Sequence, residues 1–299
     1  MKDYRIEKEH EIMAKTGIEF FHYQMRQDHT VVSAHIHPAV EILFLLHGSF
    51  LITTDDSTVP AEAGCVVLFR SNSVHSIRSL TGGDAGYYVL KIKPTLIMDL
   101  SEPTYRDVYL RALALNAKAN KCVWTKKEAD ECGLHKALEY LLTESESQLP
   151  GNDIAMKIGT ASVLLALLRD LLREMPAGDL RELPGTDIIR RIYDVTFFVH
   201  SHYSENLTAA NCAAMVFMSY SYFSRMFLRI TGKSFKEYLN LTRIHYAEKA
   251  LLDGKKSVTE IAADCGFNNV SYFISVYKKL KGVTPHTIRN GKKQSTNPS

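Results

Sequence analysis

Between about residue 16 and residue 93, apolar residues come in short runs: VVSAHI, VEILFLL, CVVLF and GYYVLKI. Turn-rich pieces separate them: HGS, TDDST, RSNS and LTGGDAG. Short runs at that spacing predict a β-sandwich or barrel. After Pro94 the period changes. EPTYRDVYLRALALNAK, KKEADECGLHKALEYLLTESE and NDIAMKIGTASVLLALLRDLLREM carry apolar residues at three-to-four spacing, which predicts helices. The last of these is apolar around much of its girth, which predicts burial in a core or against a partner helix. PAGDLRELPGT, residues 176–186, has two prolines and two glycines and reads as a linker. From Asp187 to about Asn290 the period is helical again. The chain is therefore expected to be α+β: a β-rich domain with following helices over 1–175, a linker over 176–186, and an all-α domain over 187–290. The polar tail 291–299 is expected to be disordered.

The all-α part contains a repeat. SYFSRMFLRITG (221–232) and SYFISVYKKLKG (271–282) match at an offset of fifty, each ending on a glycine. A short helical stretch precedes each copy, LTAANCAAMV before the first and SVTEIAADCGF before the second. Thr208 and Ser257 are placed to cap these stretches, because their hydroxyls can accept from orphan backbone amides. Each unit then reads as a short helix, a tight turn and a second helix starting at Ser219 or Asn268. That order is the helix-turn-helix, whose second helix enters the DNA major groove. Plain bundle packing is the alternative for any helix pair, and Ala213, Phe223, Phe227, Ala262, Phe273 and Tyr277 are expected in cores. The helix between the copies, Lys233–Gly254, is expected to span about 25–30 Å, enough to set two recognition helices near one DNA turn apart.

Charge sharpens this reading. Up to residue 186 there are 20 Lys/Arg against 25 Asp/Glu, a net of −5; beyond it there are 16 against 8, a net of +8. Only the second part is expected to meet a polyanion, double-stranded DNA. The five cysteines are scattered and form no CxxC pair, so neither a disulfide framework nor a structural zinc is expected. The start, MKDYRIEKEHEI, lacks the apolar segment of a secretory signal, and no apolar run reaches the length of a membrane span. These features predict a cytoplasmic protein with no membrane partner.

RIHYAEKALLDGKKSVTEIAADCGFNNVSYFISVYKKLKGVTP follows almost throughout the signature of AraC-type transcription regulators. It includes Ile261-Ala262, Gly266-Phe267, Tyr272-Phe273 and Gly282 with Thr284-Pro285, so residues 187–290 resemble that family's DNA-binding domain. The resemblance implies that Ser221, Tyr222, Ser224 and Arg225 of the first unit face base edges, with Tyr220 nearby and Arg225 as the leading guanine contact. In the second unit it implies Val270, Ser271, Ile274 and Ser275. Many relatives carry an arginine at Ser275, so less direct readout is expected there. Lys233, Lys278, Lys279 and Lys281 are candidates for phosphate contacts or, alternatively, a solvated helix face. Phe217 stands where many relatives have the turn glycine, which predicts a differently shaped first turn. RNA polymerase as a partner is implied by the resemblance alone.

The first domain carries its own candidate chemistry. In HIHPAVEILFLLHG the residues His35, His37 and Glu41 fall at even spacing, so on one strand all three would share a face. Gly64 to His75, PAEAGCVVLFRSNSVHS in context, adds His75. Together they resemble the two motifs of the cupin barrel, with Gly48 closing the first and Arg70 where the second commonly has proline. Three readings remain open for His35, His37, Glu41 and His75: polar groups lining an effector pocket, ligands of a divalent metal, or structural hydrogen bonding. Cupin-like sensors in the sugar-responsive AraC-type branch imply a small effector, a sugar or related metabolite, with no cofactor required. A metal-dependent cupin enzyme or a metal-sensing regulator is the alternative. The helix at 152–175 is expected either to form a homodimer or to pack on its own barrel.

Overall fold

The computed structural model describes residues 16–25, 31–55, 57–81, 84–115, 121–147, 149–174 and 184–289. By contacts the chain forms two compact units, Met1–Ser33 with Pro38–Arg190, and Ala34–His37 with Arg191–Ser299. Most of the expected linker and all of the expected tail lie outside the described residues.

The β-rich part has nine described strands: β1 (Ile18–Gln24), β2 (Val31–His35), β3 (Val40–His47), β4 (Ser49–Thr53), β5 (Thr58–Glu62), β6 (Val66–Phe69), β7 (His75–Ser79), β8 (Gly86–Ile92) and the two-residue β9 (Val123–Trp124). They form two sheets, ordered β1-β8-β3-β6-β9 and β2-β7-β4-β5. The core lies on one parity of the strands. Leu43 and Leu45 of β3, Phe50 and Ile52 of β4, Val67 and Phe69 of β6, Ile77 of β7 and Tyr87 and Val89 of β8 form one buried cluster. Opposite parity on β3 is covered too: Val40 and Ile42 are buried, and half-buried Phe44 packs on the His135 ring from a following helix, 5.3 Å between centroids. With both faces covered, VEILFLL reads as an unbroken apolar run. Gly48 turns β3 into β4 at φ +92°, and a Cβ there would lie 2.8 Å from Ala85 Cβ, so no side chain fits.

After β8 come α1 (Pro94–Asp99), α2 (Arg106–Leu113), α3 (Lys126–Glu131), α4 (Leu134–Glu146) and α5 (Asn152–Glu174). The stretch KKEADECGLHKALEYLLTESE, expected as one helix, is two. Gly133 at φ +77° separates α3 from α4, and Thr125 starts α3 with a capping box shared with Glu128. Helix α1 was not foreseen; Pro94 sits at its start, where its missing N–H costs nothing.

The second unit contains α6 (Thr186–His202), α7 (Ala209–Met215), α8 (Tyr220–Thr231), α9 (Phe235–Asp253), α10 (Val258–Asp264) and α11 (Val270–Lys281). The repeat is structural as well as sequential: α7–α8 and α10–α11 are short-helix, turn, longer-helix pairs. Thr208 and Ser257 cap α7 and α10 as expected, accepting from Asn211 N and Glu260 N. Ser219 caps α8, whereas α11 starts one residue later than expected, on Asn269. Helix α9 runs from a Ser234–Glu237 capping box to Gly254; its 19 residues span about 28 Å.

Candidate functional sites: a polar cluster and paired helix-turn-helix units

Strand parity and register place Glu41 and His75, two members of the polar cluster. Glu41 shares parity with Leu43 and Leu45, so its carboxylate faces the sandwich interior. Its register partners are Phe69 on β6 and Lys91 on β8. Lys91 Nζ lies 3.8 Å from Glu41 Oε2, a neighbour that GYYVLKI held in its alternation with Tyr87 and Val89. His75 has the parity of Ile77, so it also faces inward, with Nε2 4.0 Å from Glu41 Oε2. Its ring stacks on Phe69 at 4.1 Å, and Nδ1 meets the Ser73 carbonyl at 3.1 Å. One donor atom from each of His35, His37, Glu41 and His75 lies within 4.8 Å of the others; His37 is half-buried and the rest are buried. The expectation that His35, His37 and Glu41 share one strand is corrected. His35 ends β2, His37 lies in the connection and Glu41 is in β3, so the chain turn converges the donors. The set presents imidazoles and a carboxylate to a common point. It offers hydrogen bonds to a hydroxylated molecule or nitrogen and oxygen ligands to a divalent metal.

The departure at Arg70 has a structural reason. Its buried guanidinium donates to the Ala112 carbonyl at 3.2 Å and to the Lys121 carbonyl at 3.3 Å, tying the end of β6 to the helical layer. Burial pulls its pKa down to about 10. His135 serves the same layer, bridging Asp130 Oδ1 at 2.6 Å and the Gly64 carbonyl at 2.7 Å. Neither was assigned from sequence, because a lone Arg or His gives no signal of partners distant along the chain.

In the second unit, Phe223, Phe227, Ala213, Ala262, Phe273 and Tyr277 are buried, as their spacing predicts. The eight base-facing candidates fall on the remaining face: Ser221, Arg225, Ser271 and Ser275 are exposed, and Tyr222, Ser224, Val270 and Ile274 half-buried. Lys278 and Lys279 are exposed and Lys233 half-buried. Lys281 departs from its expected place. Its ammonium pairs with the carboxylate of Glu248 on α9, both side chains nearly covered, so it braces α11 instead of facing outward.

Two further residues hold the units in place. Arg243 on α9 donates to the carbonyls of Tyr203 and Glu205, each at 2.8 Å, and lies over the Phe267 ring. Burial lowers its pKa. Gly266, in the second turn at φ +80°, leaves no space for a Cβ, which would stand 2.7 Å from the Ser204 carbonyl oxygen. The first turn is not reshaped as expected: Phe217 occupies the same left-handed region at φ +56°.

Two family models match the chain, an AraC-like ligand-binding domain over residues 17–118 and a helix-turn-helix domain over residues 212–291. The HTH-type transcriptional regulator YdeC of Bacillus subtilis (strain 168) is 24% identical over 262 residues, covering 85% of this chain and 84% of that one. YobQ of the same organism, also an HTH-type transcriptional regulator, is 23% identical over 258 residues, 86% of this chain and 88% of its own. Among solved structures, ToxT from Vibrio cholerae superposes with a TM-score of 0.56 at 18% identity, covering 91% of this chain and 98% of that chain. With a ligand-binding β domain leading into paired helix-turn-helix units, the chain belongs to the AraC-type transcription regulators.

Proposed function

We propose that this regulator answers to a small hydroxylated metabolite of the sugar type, held among His35, His37, Glu41 and His75. The carrying observation is the convergence of those four side chains within 4.8 Å in a domain that matches the AraC-like ligand-binding model. An imidazole offers one donor and one acceptor nitrogen and a carboxylate only accepts, and hydroxyl groups both donate and accept, so a polyol satisfies each of them. ToxT, the neighbour in fold, has been solved with an unsaturated fatty acid and with a methylnaphthalenyl butenoic acid, which supports a small organic occupant for this kind of domain. Effector binding changes DNA engagement only if the effector prefers one of two protein states. The regulator acts as a homodimer on operator DNA and addresses RNA polymerase. The dimer reading is supported by α5, where Ile154, Ile158 and Leu165 are exposed while Val163, Leu164 and Leu167 are buried.

The same four donors favour one second reading, a divalent transition metal as the signal. A thermal-shift screen of the full chain against sugars, polyols and divalent metals separates the two. An effector at 100 times its Kd stabilises by about 2.7 kcal/mol. A sugar or polyol is expected to raise Tm, and His75→Ala to abolish that rise. Stabilisation by a metal alone, with stoichiometric metal in the purified protein, overturns the organic effector.

A further inference from the structure

The first recognition turn carries an aromatic ring that the fold does not use. Hydrogen bonding makes the two turns equivalent. Met218 N donates to Ala213 O as Phe267 N donates to Ala262 O, and Phe217 N donates to Ala214 O as Gly266 N donates to Ala263 O. Phe217 is thus the counterpart of Gly266, and both adopt positive φ. At Gly266 the surroundings and the backbone both demand glycine. At Phe217 only the backbone does, and the chain nevertheless carries a large β-substituted side chain in a conformation that such residues disfavour. That ring gains nothing from burial, being 90% exposed. Both the strain and the exposure oppose folding, so an advantage in binding is the physical reason left for the ring.

Its position selects the partner. Phe217 stands two residues ahead of Ser219, the N-cap of α8, and Tyr220 just inside the helix is 60% exposed. The N-terminal residues of a recognition helix are the ones that meet base edges. Phe217 therefore lies exposed at the N-terminal end of the helix that carries Ser221 and Arg225. A phenyl ring neither donates nor accepts hydrogen bonds. The one apolar group that bases display in the major groove is the thymine C5-methyl.

We propose that Phe217 is a specificity-determining residue that packs on a thymine methyl at the edge of the first half-site; this rests on α8 being a DNA-reading helix. It adds apolar readout beside the hydrogen-bonding readout of Ser221 and Arg225, and gives the first unit a contact that Gly266 denies the second.

The test uses the full-length chain. Its preferred duplex is selected from a random-sequence DNA pool, and affinity is read by fluorescence anisotropy for wild type, Phe217→Gly and Arg225→Ala. Thymines of the duplex are then replaced one at a time by deoxyuridine, which removes only the methyl. Phe217→Gly relieves the left-handed strain, so its Tm is expected to equal or exceed that of wild type. Its affinity is expected to fall about three- to tenfold. At one or two thymines, deoxyuridine should weaken wild type by a similar factor and leave Phe217→Gly unchanged. Unchanged affinity of Phe217→Gly, alongside a loss for Arg225→Ala, overturns this proposal alone. A loss for Phe217→Gly with no methyl-dependent position overturns the thymine contact. Unchanged affinity for both variants overturns the assignment of α8 as a reading helix and the proposal with it.

Discussion

At the scale of single residues, Gly266 shows how one position can be constrained twice. Its φ of +80° lies where L side chains are strained, and the Ser204 carbonyl occupies the space of a Cβ. Gly266→Ala is expected to destabilise the second unit by about 2–4 kcal/mol, combining left-handed strain with overpacking. Thermal denaturation checks this, and a loss below about 1 kcal/mol would show that the turn yields easily. The sequence marked Gly266-Phe267 as part of a signature, but the carbonyl that excludes a side chain belongs to Ser204, 62 residues upstream. Glu41 and His75 make the same point in the other domain. Their residue types and spacing marked them as candidates, while Lys91 Nζ and the Phe69 ring beside them follow from strand register.

At the scale of elements, capping residues were the most legible features. Thr208 and Ser257 could be read from sequence because a hydroxyl ahead of an apolar-periodic stretch satisfies amides within the next turn, a wholly local interaction. The break between α3 and α4 was missed because the apolar period continues through it and only Gly133 interrupts it. Helix α5 illustrates a different limit. Its even spread of apolar residues predicted burial, and the fold buries one side while leaving Ile154, Ile158 and Leu165 open. If that side joins two copies, Ile158→Glu should convert the dimer to a monomer in sedimentation velocity with helical content retained. A mass unchanged between wild type and variant removes α5 from the interface.

At the scale of the whole molecule, charge division is the governing fact: −5 up to residue 186 and +8 beyond it. Counterion release makes DNA affinity fall with salt by a slope of about −0.9 for each neutralised phosphate. Exposed Lys278 is expected to supply one such contact, so Lys278→Ala should lower the slope by about 0.9 across all sequences, in salt titrations of binding. Lys281→Ala should act through stability, on the order of 3 kcal/mol, because it strips the nearly covered Glu248 carboxylate of its ammonium. A changed slope with unchanged Tm for that variant would reverse this division of labour.

By itself, the sequence determined what depends on neighbours a few residues away: the strand and helix periods, the caps, the duplicated helix-turn-helix and the two-part charge. Only tertiary structure decided that His35, His37, Glu41 and His75 converge although they lie on different elements. It also turned Lys281 inward, employed Arg70 and Arg243 as braces, and kept the first turn in the left-handed form despite Phe217. Each of these depends on which distant backbone carbonyl, carboxylate or ring the fold places alongside, and periodicity along a chain carries no record of that.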